Sequence, residues 1–194
     1  MGPLRAVLRD HRGAIILSML LTWLLSAGVV VVILMTPALL QSLYHISPTD
    51  SLKANSLAIV LLSLGCIGSG SLADRFGAGR VFVIGSLALL VTSWTFYHSL
   101  PTRPDLLFPL YALTGLCVGV IGAVPYVMVK AFPAVVRFSG LSFSYNVAYA
   151  IFGGLTPMVV TALLKLSPMA PAYYVAGLCA VGLLVGLYLL ANKR

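Results

Sequence analysis

The chain has 194 residues, 60% of them hydrophobic and only 8% charged, with a mean hydropathy of +1.06. Soluble domains carry about 25% charged residues, so this composition excludes an ordinary soluble enzyme or binding module and fits a polytopic membrane protein. The formal charge of +8 comes from twelve Lys and Arg against four Asp and no Glu. These bases stand singly between apolar runs, with no basic and aromatic patch, so they do not point to nucleic acid as a partner.

A helix needs about 20 apolar residues to cross a hydrocarbon core of roughly 30 Å. Six segments qualify, over 14–40, 54–72, 81–98, 106–129, 138–164 and 170–191, which predicts an all-α, six-helix transmembrane domain covering 1–194. The first follows Arg5, Arg9 and Arg12. Its apolar run exceeds the roughly 7–15 residues of a signal-peptide core, and no cleavage site follows. In this segment Ser18, Thr22 and Ser26 share one helix face, with Trp23 beside them. The second ends in "GSGSL", and the third, mostly "VFVIGSLALLV", carries no polar stripe. In the fourth, Gly115, Gly119, Gly122 and Tyr126 repeat the helical spacing next to Pro125.

The fifth segment is the richest, with Ser142, Tyr145, Asn146, Tyr149, Gly153 and Thr156 in one stripe before Pro157. Small residues let helices approach closely, and hydroxyls bond between them. Asn146 is different, because an unpaired amide is costly in lipid; flanked by two tyrosines, it is expected to face a wet cavity. After the turn "KLSPMAP", the sixth segment carries Gly182 and Gly186 in an apolar run. The third and sixth helices therefore suit a lipid-facing outer position.

Cytoplasmic loops are rich in Lys and Arg. With the N-terminus inside, the inner side holds Arg5, Arg9, Arg12, Arg75, Arg80, Lys130, Arg137, Lys193 and Arg194, and the outer side holds Lys53, Arg103 and Lys165. That asymmetry predicts two cytoplasmic termini. Cys66, Cys117 and Cys179 lie in apolar segments and, being odd in number, do not form a disulfide framework. Asp10, Asp50, Asp74 and Asp105 all lie outside the spans or at their ends, so none is placed as a mid-membrane proton carrier. His45 and His98 fall at helix ends and read as interfacial. No cofactor or metal site is indicated.

The stretch "GSLADRFGAGR", residues 70–80, breaks this pattern. It joins the second and third helices with a short link. Gly70 is expected to let the backbone pass close to a neighbour, and Gly77 to take the positive φ of a tight turn. Asp74 is placed to meet a helix dipole, with Arg75 and Arg80 holding it or meeting lipid phosphates. Such a cluster would act as a latch between helix arrangements.

The spacing Gly70-x-x-x-Asp74-Arg75-x-Gly77-x-x-Arg80 resembles the signature between the second and third helices of each half of major facilitator superfamily transporters. Ala78-Gly79 stand where a further basic residue often occurs. Residues 132–157, "FPAVVRFSGLSFSYNVAYAIFGGLTP", resemble the eleventh-helix region of the metabolite:proton symporter branch, through Arg137, Gly140, Tyr145-Asn146, Gly153-Gly154 and Pro157. The opening "PLRAVLRDHRGAIIL" resembles the end of that branch's central loop and the start of its seventh helix. The resemblance covers the whole chain, but only the C-terminal half of such a transporter.

This resemblance implies one half of a transporter of proline and betaine, citrate, 2-oxoglutarate or shikimate, in the bacterial inner membrane. The first, second, fourth and fifth helices would line one cavity wall, with Trp23, Tyr126, Tyr145, Asn146 and Tyr149 as candidate lining and Arg137 as the basic residue where the fifth helix starts. The solute and proton would need a missing N-terminal six-helix half, or a second copy, and the chain alone is expected to transport poorly or not at all. A split or truncated gene product, or a fragment, is the reading that follows. The alternative is a non-transporting assembly or regulatory subunit. An intramembrane serine protease is disfavoured, since Ile67 occupies the first glycine of its motif around Ser69-Gly70 and no histidine lies mid-span.

Overall fold

The computed structural model describes residues 3–192; Lys193, Arg194 and the Arg5 side chain, counted above among the inner cations, lie outside what it describes. A short N-terminal helix, Pro3–Asp10, precedes six helices long and apolar enough to cross a membrane. These are α1 (Arg12–Ser42), α2 (Pro48–Phe76), α3 (Ala78–Ser99), α4 (Pro104–Ala131), α5 (Arg137–Leu164) and α6 (Ala170–Ala191). No strand occurs among the described residues.

The helices outrun their apolar cores because polar end residues join them. Ser47 caps α2: its hydroxyl accepts the Asp50 N–H at 3.1 Å and donates to the Asp50 carboxylate at 2.8 Å, with Pro48 in the first turn. At the other end α2 continues through the charged motif to Phe76, and α3 starts at Ala78. The expected loop after residue 72 therefore shrinks to Gly77 alone, with φ 87° and ψ 141°. Glycine is the residue that adopts this conformation without strain.

α1 and α4 form the centre. In their most apolar stretches 61% and 56% of residues are buried, against 17% in α2 and in α5. α4 packs on α2, α5 packs on α1, and α3 pairs with α6 behind them. The α4 glycines explain the first contact. A Cβ at Gly115 would overlap the Ala58 backbone, at Gly119 that of Gly65, and at Gly122 that of Cys66. Ser69 closes this seam by donating to the Gly119 carbonyl. Gly182 and Gly186 on α6 play the same part against Ser86, Val83 and Gly79 of α3, so their face meets a helix, and lipid meets other faces of α6. Ser18, Thr22 and Ser26 are fully buried, with Thr22 donating to the Ser18 carbonyl at 2.8 Å.

Three helices are interrupted near a proline: α1 by a π segment at Val30–Met35, α4 by a 3₁₀ segment at Gly119–Ala123, and α5 by a π segment at Tyr149–Gly153. In a π turn the carbonyl of Val32 looks five residues ahead, to Pro37, which has no N–H. Tyr111 of α4 fills this gap, donating to the Val32 carbonyl at 2.6 Å while lying 2.6 Å from the Asn55 side-chain oxygen. Thr36 donates to the Val31 carbonyl at 2.9 Å and shares a 2.8 Å bond with the Tyr97 hydroxyl. The end of the bundle away from Gly77 is thus held by hydrogen bonds among α1, α2, α3 and α4.

Three substitutions test this account. Gly119→Leu is expected to lower unfolding stability in detergent titrations by about 1–3 kcal/mol. Gly68→Ala should leave it unchanged or slightly raised, since an added Cβ there meets nothing within 4 Å. Tyr111→Phe, which strands the Val32 carbonyl, is expected to cost about 0.6–1.7 kcal/mol in the same titration.

Candidate functional site

The fifth helix presents polar side chains that the rest of the bundle leaves uncovered. Tyr145, Asn146 and Tyr149 are exposed, and the two tyrosine rings lie 5.6 Å apart. Tyr145 and Asn146 border an open groove of about 320 Å³ between α4 and α5, whose other walls are Leu25, Pro125, Met128 and Leu141. The Asn146 amide donates to the Ser142 carbonyl at 2.7 Å, within its own helix. Its Oδ1 has no hydrogen-bond partner among the described residues. An amide oxygen and two phenols above an apolar floor can accept from and donate to a polar solute, but hold no fixed charge.

The stripe expected on α5 does not stay on one face. The π segment at Tyr149–Gly153 fits extra backbone into the turn, and one inserted residue rotates everything beyond it by about 100°. Thr156 consequently turns inward. It is fully buried, donates to the Phe152 carbonyl at 2.5 Å and shares a 2.9 Å bond with the Tyr174 hydroxyl of α6.

Trp23 belongs to that same inner arrangement. Its indole N–H donates to Tyr174 at 3.2 Å, and its ring stacks on Phe152 with centroids 4.8 Å apart. It does not line the groove with Tyr145 and Asn146. Tyr126 is also engaged elsewhere: its hydroxyl accepts from Lys130 at 2.5 Å, with the ammonium 4.0 Å from the ring centroid. The five candidate lining residues thus divide between an exposed α5 set and two separately occupied aromatics. Arg137 is half-buried at the start of α5 and donates to the Phe132 carbonyl at 3.2 Å, fastening the link between α4 and α5.

The charged motif is arranged differently from the expected latch. Gly70 through Phe76 are helical, Gly77 is the turn and Arg80 lies in the first turn of α3. Asp74, Arg75 and Arg80 are all exposed, and the ion pairs among the described residues are Arg9–Asp10 and Arg103–Asp105 alone. Asp74 is therefore not held by Arg75 or Arg80, because helical geometry fans successive side chains apart where a loop could fold them together. Gly70 also has room for a side chain, with its nearest neighbour atom 3.8 Å from an added Cβ; close approach falls instead at Gly65 and at the α4 glycines.

The network of Thr36, Tyr97, Tyr111 and Asn55 lies outside the features expected from the sequence. The Thr36-Pro37 pair, matched by Thr156-Pro157, was the available signal for a helix break supported by a hydroxyl. All four aspartates stand at helix ends. Among the described residues no group of three His, Cys or Asp side chains is gathered as a metal site.

Comparison with known proteins gives the chain relatives. It is 29% identical over 189 residues to a citrate-proton symporter of Klebsiella pneumoniae, covering 95% of this chain and 43% of that protein. It is 31% identical over 155 residues to a citrate-proton symporter of Salmonella typhi, covering 75% and 35%. A "Putative proline/betaine transporter" of Staphylococcus aureus is 29% identical over 141 residues, covering 71% and 30%. The chain spans less than half the length of these curated relatives. No protein-family model and no solved structure gives a significant match. The relatives are transporters and not enzymes, and the chain is a six-helix, all-α membrane protein distantly homologous to metabolite:proton symporters of the major facilitator type.

Proposed function

We propose that the chain supplies the C-terminal six-helix half of a proton-coupled organic solute symporter of the inner membrane, with both termini on the cytoplasmic side. The observation that carries this reading is similarity along 95% of the chain to a symporter more than twice its length. The resemblance of residues 132–157 to an eleventh-helix region supports the C-terminal assignment. The sparsely covered α2 and α5 support a missing partner, since a second half would bury them.

On this reading the α5 face, with Tyr145, Asn146 and Tyr149, forms one wall of the solute path. Apolar packing by Leu25, Pro125 and Met128 gives the wall its shape. Trp23 and Tyr126 support it from behind and from the side. Asp74, without an ion-pair partner among the described residues, would find its counter-group on the other half, where the latch is completed. With no aspartate at mid-membrane depth, the titrating group that couples solute to proton also belongs to that half.

Two measurements test the reading. Proteoliposomes containing this chain alone, under an imposed pH gradient, are expected to accumulate no labelled citrate, proline, betaine or 2-oxoglutarate. Adding the N-terminal six helices of the Klebsiella pneumoniae symporter in trans should restore uptake of one of them. Robust accumulation by the chain alone would show that two copies complete the path. In the restored system Asn146→Leu is expected to cut the initial rate at least tenfold while leaving insertion and folding intact. An unchanged rate would favour a non-transporting subunit.

A further inference from the structure

A second groove lies on the outside of the bundle, between α2 and α3, far from the α5 face. It has a volume of about 590 Å³ and is walled by Leu64, Leu72 and Phe76 of α2 and by Val81, Ile84 and Ala88 of α3. Its floor is α4, through Leu116, Cys117 and Val120. The groove exists because glycine replaces bulk at the places that would fill it. A Cβ at Gly85 would strike Val120, so α3 lies close over α4, whereas Gly68 opens onto empty space.

Arg80 alone among the lining residues is charged. It stands at the Gly77 end, exposed, with Arg75 on the α2 side of the link, and neither arginine has an ion-pair partner among the described residues. The cations therefore face the headgroup level while the groove runs inward through hydrocarbon. From Leu64 to Phe76 the wall is about 18 Å long at 1.5 Å per residue, close to the roughly 15 Å depth of one leaflet.

These dimensions select the occupant. A helix about 10 Å across and 18 Å long has a volume of about 1,400 Å³, so only part of its girth would enter the groove. An extended hydrocarbon chain matches its length. A phosphate at its mouth would meet the arginines, which recognise that group by charge and hydrogen bonding. We infer that this groove is a binding site for one acyl chain of an anionic phospholipid, with Arg80 holding the phosphate and Arg75 beside it. The site is independent of whether the chain transports.

The test uses the full chain purified in mild detergent and titrated with phosphatidylglycerol or phosphatidylcholine, with retained lipid counted by native mass spectrometry. One phosphatidylglycerol is expected to be retained in preference to phosphatidylcholine. Arg80→Gln should weaken that retention about fivefold, the scale of one basic residue at an anionic surface. Gly68→Phe, which fills the slot without touching the headgroup, should abolish it, with circular dichroism and melting unchanged. Equal retention of the two lipids, or retention of phosphatidylglycerol by either variant at the level of the unchanged chain, would overturn the assignment. So would efficient disulfide crosslinking of two copies through Ile84→Cys, which would make a second chain the occupant.

Discussion

The whole arrangement rests on the backbone contact between α2 and α4. Membrane helices gain little from hydrophobic exclusion, so their association depends on close packing and on polar groups satisfied across the interface. Gly65, Gly115, Gly119 and Gly122 remove the side chains that would hold the two backbones apart, and Ser69 ties the seam. With α4 pulled against α2, its opposite side is left for α1, which becomes the most buried span. α5 then has only α1 as a broad support, and its outer face stays open. The exposed tyrosines and Asn146 are thus a consequence of glycines on a different helix.

Proline breaks add a second layer to that packing. In α1 and α5 a threonine stands just before the proline, close after a π segment, and its hydroxyl bonds both to a carbonyl of its own helix and to a tyrosine of a neighbouring helix. The tyrosine is Tyr97 of α3 in one case and Tyr174 of α6 in the other. A helix break in lipid needs such support, because no water is available to take the released backbone groups. The two breaks thereby connect α1 and α5 to the α3–α6 pair, and Trp23 extends the second connection back to α1.

Much of this was legible in the residues themselves. Apolar runs of membrane length separated by prolines and single charges mark six helices, and the α4 glycines announce a close contact without naming its partner. The charged motif was visible, but its helical state was not, since Ser47 and Gly77 set the limits of α2 and the residues between carry mixed propensities. The α5 stripe misled because a π insertion leaves composition untouched while rotating every later side chain; Thr156 moved from the groove face to the interior for that reason. Trp23 and Tyr126 show the same limit: helical spacing places a side chain on a face, and only tertiary packing decides that Tyr174 or Lys130 is already waiting there.

The single-residue link at Gly77 has a mechanical consequence. It pins the adjoining ends of α2 and α3 within one peptide unit of each other, while their far ends belong to different pairs, α2 with α4 and α3 with α6. Relative motion of the two pairs then becomes a swing about a fixed pivot. With 29 residues α2 is a lever about 44 Å long at 1.5 Å per residue, so a tilt of about 10° displaces its distant tip by about 8 Å and its pinned end hardly at all. Such a swing would be widest where the Thr36 and Tyr111 bonds stand, so those bonds hold it in check.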